Sequence, residues 1–246
     1  MKQSIFIIKE NIALTHDVWK MVLEGDTSEI TRPGQFVNIL LDGLYLRRPI
    51  SVHDAEDGVL TLIYKIVGVG TARMSEMKPG HSLDVLTGLG NGYDVTRAGA
   101  RPLLIGGGVG VPPLYMLAKQ LCAAGCEVTV ILGFRSARDV FCKEAFEALG
   151  ARVLVTTEDG TYGTRGFVTG VFDEAGDYTY TYSCGPEPML RAVYNASGTS
   201  GEYSFEERMG CGFGACMGCS CKTLYGNKRI CKDGPVLVKE EIVWEK

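Results

Sequence analysis

Four cysteines near the C-terminus constrain this chain more than any other feature of its sequence. They follow the spacing C-x4-C-x2-C-x11-C and are Cys211, Cys216, Cys219 and Cys231. This is the spacing of a plant-type [2Fe–2S] site, in which a tight loop wraps thiolates around one side of the cluster. Such a loop needs glycines, because its backbone N–H groups must face the sulfides at strained φ and ψ angles. The glycines available are Gly210, Gly212, Gly214 and Gly218.

Zinc is the alternative metal for this tail. Zinc sites usually combine two closely spaced cysteine pairs, whereas here a four-residue gap is followed by one distant cysteine, which favours [2Fe–2S]. For Cys221, a structural thiol beside the cluster is favoured over a ligand, because its one-residue spacing from Cys219 would crowd two ligands on the loop. Five of the nine cysteines lie between Cys211 and Cys231, and clustering in a chain without an export signal favours a metal site over disulfides.

Length and charge limit the classes of protein to consider. A chain of 246 residues is long enough for two compact domains and a small appendage. A net charge of −4 provides no basic surface for nucleic acid. The N-terminus lacks the apolar region of a signal peptide, and no apolar run approaches the ~18 residues of a membrane span. We therefore expect a soluble cytoplasmic protein that binds neither nucleic acid nor membrane.

The pattern of apolar residues predicts a multi-domain β plus α/β fold with three segments. Short β-rich runs separated by turn signals fill the first segment, residues 1–97, and predict a small antiparallel β-barrel. Strands alternate with helices in residues 98–200, which predicts a doubly wound parallel sheet. Residues 201–246 have too few apolar repeats to build a core alone and form the predicted cluster domain.

The barrel contains two short patterns that together predict an FAD site. The first is Arg48-Pro49-Ile50-Ser51, an R-x-x-S pattern at a strand. It resembles the R-x-Y-S motif of ferredoxin-reductase-like flavoproteins, which implies that Arg48 meets the pyrophosphate and Ser51 lies near the flavin ring. Ile50 replaces the usual tyrosine, so aromatic stacking is not expected at that position.

The second pattern is Ile63-Tyr64-Lys65, followed by a glycine-rich turn that opens a helix. Gly70 permits close approach of the diphosphate, and Thr71 is predicted to cap the helix N-terminus, where backbone N–H groups attract anions. The predicted FAD-binding residues are Arg48, Pro49, Ile50, Ser51, Ile63, Tyr64, Lys65, Gly70 and Thr71.

Three turns in the α/β segment predict a pyridine nucleotide site. A strand runs into a glycine turn that ends in proline and includes Gly107, Gly108 and Gly110, so phosphate can approach the following helix. Cys184-Gly185 follows the last strand of the segment and borders the ligand crevice.

The turn with Glu158 and Asp159 offers carboxylates to the adenosine ribose, which favours NAD over NADP. Arg135 and Arg138, after another strand, keep NADP open.

The whole chain resembles the electron-transfer subunits of NAD-dependent (class 1B) dihydroorotate dehydrogenase, within the ferredoxin-reductase-like superfamily. The motifs that carry this resemblance are RRPIS, IYKIVGVGT, GGGVGVPPL, CGPEPM, GCGFGACMGCSC and ICKDGPV. The resemblance implies an FMN-containing catalytic partner that oxidises dihydroorotate to orotate, in a heterotetramer of two subunits of each kind. It also implies that electrons pass through the cluster and FAD to NAD⁺, with Cys184 as a catalytic residue beside the nicotinamide.

Two other functions remain alternatives at this point. A diaphorase-like subunit of a ferredoxin:NAD(P) oxidoreductase or of a cytosolic hydrogenase would share the flavin and nucleotide turns. A zinc-bearing module that senses nucleotide without turnover would be a binding protein instead. Cys184 could also be only a buried structural thiol. His16, His53 and His81 are isolated in the sequence, so we expect surface or structural roles for them and no base for dihydroorotate in this chain.

Overall fold

The computed structural model describes residues 1–244, and its first part is a closed six-stranded barrel. The barrel strands are β1 (Lys2–Ala13), β2 (Val18–Glu24), β3 (Phe36–Ile39), β4 (Arg48–Glu56), β5 (Val59–Lys65) and β6 (Ser82–Leu89). They are paired antiparallel in the order β1-β2-β5-β4-β3-β6. Alternate residues face inward, as on β6, because successive side chains of a strand point to opposite faces. Helix α1 (Val69–Glu76) lies between β5 and β6.

The second part is a parallel sheet flanked by short helices. Its strands are β7 (Pro102–Gly107), β8 (Thr129–Phe134), β9 (Arg152–Thr157), β10 (Thr164–Arg165), β11 (Tyr180–Cys184) and β12 (Gly201–Ser204). The helices are α2 (Tyr115–Ala123), α3 (Lys143–Ala148), α4 (Phe172–Ala175) and α5 (Glu187–Ala196). The order β10-β9-β8-β7-β11-β12 reverses at β7, which has β8 on one side and β11 on the other. The predicted combination of an antiparallel barrel and a doubly wound sheet is confirmed.

The cysteine-rich tail packs against the large sheet. It contains a hairpin of β13 (Ser220–Thr223) and β14 (Gly226–Arg229), followed by β15 (Val236–Val238), which pairs antiparallel with β12 at the edge of the large sheet. Cys219, Cys231 and Ile230 are buried in one cluster with sheet residues such as Leu103 and Tyr203. The last two residues of the predicted 201–246 segment lie outside the described part of the chain.

The barrel and the sheet meet through residues of β4. The side chain of His53 is buried, its Nδ1 lies 3.1 Å from the carbonyl oxygen of Pro112, and its ring stacks on Tyr115 at 4.3 Å. Burial lowers the pKa of His53 to about 4, so the ring is neutral at physiological pH. Lys119 of α2 forms ion pairs with Asp54 at 2.9 Å and Glu56 at 2.7 Å. These contacts fix the glycine turn after β7 relative to β4.

Among residues 1–244, the helices are all too short or too polar to cross a membrane.

Candidate functional site

The fold brings the two predicted halves of the flavin site together. The side chain of Arg48, at the start of β4, passes directly over Gly70 in the first turn of α1. A Cβ atom added to Gly70 would lie 2.1 Å from Nε of Arg48 and 3.0 Å from its Cζ. Only glycine leaves room for the guanidinium there. A cation and the N-terminus of a helix therefore share one location, which is the chemistry that binds a diphosphate.

The predicted role of Thr71 as the helix cap is wrong. The cap residue is Gly68, and Thr71 occupies the third helical position. Its hydroxyl accepts hydrogen bonds from the backbone N–H groups of Val67 at 2.9 Å and Gly68 at 3.3 Å. Glycine is also a favoured cap residue. Through these two hydrogen bonds, Thr71 stabilises the turn that precedes the helix. Backbone N–H groups of the first helical turn are then the donors for an anion.

The side chains of Tyr64 and Lys65 do not point to the diphosphate location. The Tyr64 hydroxyl donates to Oδ1 of Asn11 at 3.0 Å, and the Asn11 amide donates to the carbonyl of Met74 at 2.8 Å, near the end of α1. Burial raises the pKa of Tyr64. Lys65 forms an ion pair with Asp17 at 2.8 Å. Tyr64 therefore supports α1 from within the barrel.

Ile63 is buried in the core cluster shared with the sheet domain. Pro49 is exposed, whereas Ile50 and Ser51 are partly buried. The assignment of all these residues to FAD stays a prediction.

The two predicted nucleotide turns meet backbone to backbone where the strand order reverses. Gly106 of β7 pairs with Cys184 of β11, and the turns follow both strands. A Cβ atom on Gly110 would lie 2.3 Å from the carbonyl oxygen of Cys184. Gly108 has a φ of +53° and faces open space. In open α/β sheets, this crevice at the carboxyl ends of the strands is where dinucleotides bind.

The thiol of Cys184 is half-buried beside Tyr93 and Ser204. Burial raises its pKa to about 12, so the group is a neutral thiol at physiological pH. The hydroxyl of Tyr93 donates to the carbonyl of Ser183 at 3.1 Å and fixes the end of β11. This environment suits an uncharged group beside a nicotinamide, and it equally suits a structural thiol, so the catalytic role of Cys184 stays a prediction.

The turn after β9 contains two acidic residues, Glu158 and Asp159. Asp159 accepts hydrogen bonds from the backbone N–H of Thr161 at 3.0 Å and from its hydroxyl at 2.7 Å, which lower the pKa of Asp159. Glu158 is exposed. The Thr161 hydroxyl also accepts from the N–H of Ala137, which connects this turn to the loop that carries Arg135 and Arg138. Asp159 is exposed as well, so the assignment of both carboxylates to the ribose stays a prediction.

The cysteine loop has the backbone features of a cluster site. The Cys211 sulfur accepts hydrogen bonds from the backbone N–H groups of Ala215 at 3.2 Å and Cys216 at 3.4 Å. The Cys219 sulfur accepts one from Cys231 at 3.4 Å. Burial alone would raise the pKa of Cys211, but backbone hydrogen bonds lower it to about 6 and favour the thiolate that binds iron.

The expectation that all four loop glycines have strained backbone angles is only partly right. Gly212 and Gly214 have φ angles of +78° and +91°. The third residue with positive φ in this loop is Met217, at 60°. Gly210 does not have a positive φ, and a Cβ added there would lie 3.3 Å from the Cys216 sulfur, a close contact that a small shift of that side chain would relieve.

The four thiols are arranged as two pairs, and this arrangement fits a two-iron cluster. The backbone N–H of Cys216 donates to the Cys211 sulfur, and the backbone N–H of Cys231 donates to the Cys219 sulfur. Zinc needs four ligands around one ion, whereas a [2Fe–2S] cluster takes two thiolates on each iron. Burial raises the pKa of Cys231 to about 12, so metal binding there would release a proton. Cys221 lies on β13, outside both pairs.

Two residues that hold this loop were not predicted. The Nδ2 group of Asn38, on β3, donates to the carbonyl of Cys211 at 3.2 Å. Arg229 donates to the carbonyl of Gly214 at 2.9 Å and forms a bidentate pair with Asp233. The available signal for Asn38 was a single amide within the otherwise apolar run Phe36–Leu41.

Known proteins are similar to this chain both in sequence and in fold. Residues 206–243 match the iron-sulfur cluster binding domain of dihydroorotate dehydrogenase B, and residues 104–195 match an oxidoreductase NAD-binding domain. The chain is 43% identical to the "Dihydroorotate dehydrogenase B (NAD(+)), electron transfer subunit" of Fusobacterium nucleatum, over 98% of this chain and 99% of the relative. It is also 43% identical to the protein of the same name from Bacillus pumilus, over 98% of both chains.

Two solved structures show the same fold. An NADH-dependent reduced ferredoxin-NADP oxidoreductase, studied for flavin-based electron bifurcation, superposes with a TM-score of 0.88 at 30% identity, over 97% of this chain and 90% of that one. The ferredoxin reductase of carbazole 1,9a-dioxygenase superposes with a TM-score of 0.66 at 26% identity, over 79% of this chain and 65% of that one.

Proposed function

Because the chain belongs to the family of electron transfer subunits of NAD-dependent dihydroorotate dehydrogenase B, we propose that it passes electrons from a catalytic subunit through a [2Fe–2S] cluster and FAD to NAD⁺. One structural observation carries this proposal. The cysteine loop contacts β3, the predicted flavin segment lies on the neighbouring strand β4, and β4 contacts the glycine turn of the nucleotide crevice. The three sites are thus connected in the order that the electron path needs.

The residues of this chain bind and orient the three groups. Arg48 and the N-terminus of α1 would hold the FAD diphosphate. The turn that includes Gly107, Gly108 and Gly110 would hold the NAD phosphates, with Glu158 at the ribose. FAD supplies the conversion between the single electrons of the cluster and the hydride that NAD⁺ accepts.

We propose that the partner subunit contains FMN and oxidises dihydroorotate to orotate, in an assembly of two subunits of each kind. Dihydroorotate loses two electrons and two protons, NAD⁺ takes up a hydride, and one proton is released. The cysteine loop would face the partner, because Phe213 and Met217 are 43% and 54% exposed apolar side chains beside the ligands. The cytoplasmic location stays a prediction.

A diaphorase-like subunit that exchanges electrons with ferredoxin is the second candidate. The similarity to the ferredoxin-NADP oxidoreductase structure supports it. The greater identity to the dihydroorotate dehydrogenase relatives over nearly the whole chain favours the first candidate.

Anaerobic reconstitution separates the two candidates and the nucleotide sensor. The chain is loaded with FAD and cluster and mixed with the FMN subunit from the same organism, and dihydroorotate-dependent reduction of NAD⁺ is followed by absorbance. We expect turnover that needs both subunits, and about two irons per chain. Turnover with ferredoxin but not with dihydroorotate would support the diaphorase. Zinc without iron, and a flavin that NADH does not bleach, would refute both electron-transfer functions.

A further inference from the structure

We propose that Asn38 is a positioning residue for electron transfer between the cluster and the flavin. This inference rests on the proposed function above. Asn38 lies on β3, whose residues pair with the predicted flavin segment: Asn38 is opposite Pro49, and Phe36 is opposite Ser51. Its amide also forms the hydrogen bond to Cys211 described above. One side chain thus joins a cluster ligand to the strand beside the flavin segment, across 173 residues of sequence.

Asn38 points out of the barrel toward the tail. Its neighbours Val37 and Ile39 belong to the barrel core, whereas Phe36, two residues away on the same face, packs in the cluster that contains Cys219 and Cys231. Asn38 is only 1% exposed. A buried amide in an apolar contact is costly unless its hydrogen bonds are made, so its presence needs a reason.

The contact is tight as well as buried. A Cβ atom on Gly212, the residue after Cys211, would lie 2.3 Å from Nδ2 of Asn38. Gly212 therefore packs directly against the Asn38 amide. A larger residue at position 38 or 212 would push the cysteine loop away from β3. Oδ1 of Asn38 is buried and has no hydrogen-bond partner within residues 1–244, so the bond to Cys211 is what orients the amide.

The backbone under Asn38 is fixed by a second set of bonds. Arg47 donates to the carbonyl of Asn38 at 3.2 Å and forms an ion pair with Asp84 of β6 at 2.9 Å. This support keeps β3 between β4 and β6. Asn38 holds the main chain of a cluster ligand from outside the ligand set, and the loss of such an outer contact typically reduces metal affinity or activity by about 10- to 100-fold.

Arg229 and Asn91 also hold the tail, but through contacts that do not join the cysteine loop to β3. The effect of Asn38 can therefore be measured separately from theirs. Arg229 joins the cysteine loop only to other residues of the tail. Asn91 follows the last barrel strand and exchanges hydrogen bonds with Val236, donating to its carbonyl at 2.7 Å and accepting from its N–H at 3.1 Å. Asn91 therefore anchors the far end of the tail to the barrel without touching the loop from Cys211 to Cys219.

The test measures two rates in one anaerobic stopped-flow experiment on the loaded full chain. NADH delivers a hydride to FAD, which bleaches the flavin. One electron then leaves the reduced flavin and converts one ferric iron of the cluster to ferrous iron, with a flavin proton released to solvent. In Asn38→Ala, we expect flavin bleaching at the wild-type rate and cluster bleaching about 10- to 100-fold slower. Asn38→Asp, which keeps the shape and loses the donor, should slow the same step.

Three measurements distinguish positioning from other roles. Iron content and the cluster midpoint potential should equal those of the wild type, and Asn91→Ala should reduce its cluster at the wild-type rate. Loss of the cluster, a shift in potential that accounts for the slower rate, or an equal slowing in Asn91→Ala would overturn the proposal. If Asn38→Ala does not fold, Asn38→Asp decides the outcome by the same criteria. Wild-type protein in which NADH bleaches neither group would refute the proposed function instead.

Discussion

Replacing Gly110 by alanine tests how closely the two nucleotide turns must approach. The new Cβ atom would lie 2.3 Å from the carbonyl oxygen of Cys184, 2.5 Å from its carbonyl carbon and 2.6 Å from Cα of Gly185. All three atoms are backbone, so neither turn can avoid the contact by rotating a side chain. Ordinary contacts of this kind begin near 3.4 Å, so the turns must separate by about 1 Å. Gly110 does not have a positive φ, so the cost comes from crowding alone.

The separation should affect hydride transfer more than folding. A misplacement of about 1 Å can reduce a rate about 100-fold, whereas overpacking costs about 1–3 kcal/mol of stability. We therefore expect Gly110→Ala to retain FAD and cluster while NADH reduces its flavin about 100-fold more slowly. The assay is anaerobic stopped-flow absorbance at several NADH concentrations, together with thermal unfolding.

Gly170→Ala is the matched control for this change. Gly170 lies in the same domain, its added Cβ would meet no atom within 4 Å, and its φ is not positive. It should behave as the wild type. Wild-type flavin reduction in Gly110→Ala would show that the two turns do not form the nucleotide crevice as described.

Three further predictions address the cluster, the flavin and the contact between barrel and sheet. Cys216→Ser should lose the cluster, measured by iron content, while NADH still bleaches the flavin; loss of both in a folded protein would contradict separate sites. Gly70→Ala should displace Arg48 and weaken FAD binding by about tenfold, measured by flavin fluorescence titration, whereas Gly68→Ala, with open space around its Cβ, should bind FAD far better. Burial lowers the pKa of His53 to about 4, whereas a histidine in the unfolded chain has a pKa of 6.5. Between these two values the unfolded chain binds more protons than the folded chain. The free energy of unfolding should therefore fall by up to about 1.4 kcal/mol per pH unit as the pH decreases from 6.5 toward 4. The free energy of unfolding, measured with urea, should fall less steeply with decreasing pH in His53→Gln than in the wild type. Equal slopes in the two proteins would refute the assignment of this pH dependence to His53.

The sequence predicted those parts of the site that depend on neighbours in the chain. The spacing from Cys211 to Cys219 is a property of one loop, and the glycine turn after β7 is a property of one strand and the segment that follows it. Such local patterns carry their geometry with them, because a tight turn restricts the residues that can occupy it. Short β-rich runs between turn signals likewise indicated the barrel, and strands alternating with helices indicated the parallel sheet.

What the sequence did not predict depends on distant contacts or on a choice between similar residues. The bond between Asn38 and Cys211 and the contact between His53 and Pro112 join segments that no local pattern connects. The cap was assigned wrongly because glycine and threonine both occur at helix N-caps. Only the folded turn shows that the cap is Gly68 and not Thr71. The pairing of β15 with β12 was equally hidden, because a three-residue strand carries too little periodicity to detect.

Strands β3 and β4 together form the structural link between the three sites. Asn38 of β3 contacts the cysteine loop, and His53 of β4 contacts the turn that leads into the nucleotide crevice. The predicted flavin segment, Arg48 to Ser51, is paired with β3 in register between these two contacts. Both contacts are buried, and interiors packed to this density transmit displacements instead of absorbing them. Asn38 and His53 therefore connect the predicted flavin segment to the cysteine loop through β3 and to the nucleotide turn through β4, so a change at Asn38 should act on the cluster side of the flavin and a change at His53 on the nucleotide side.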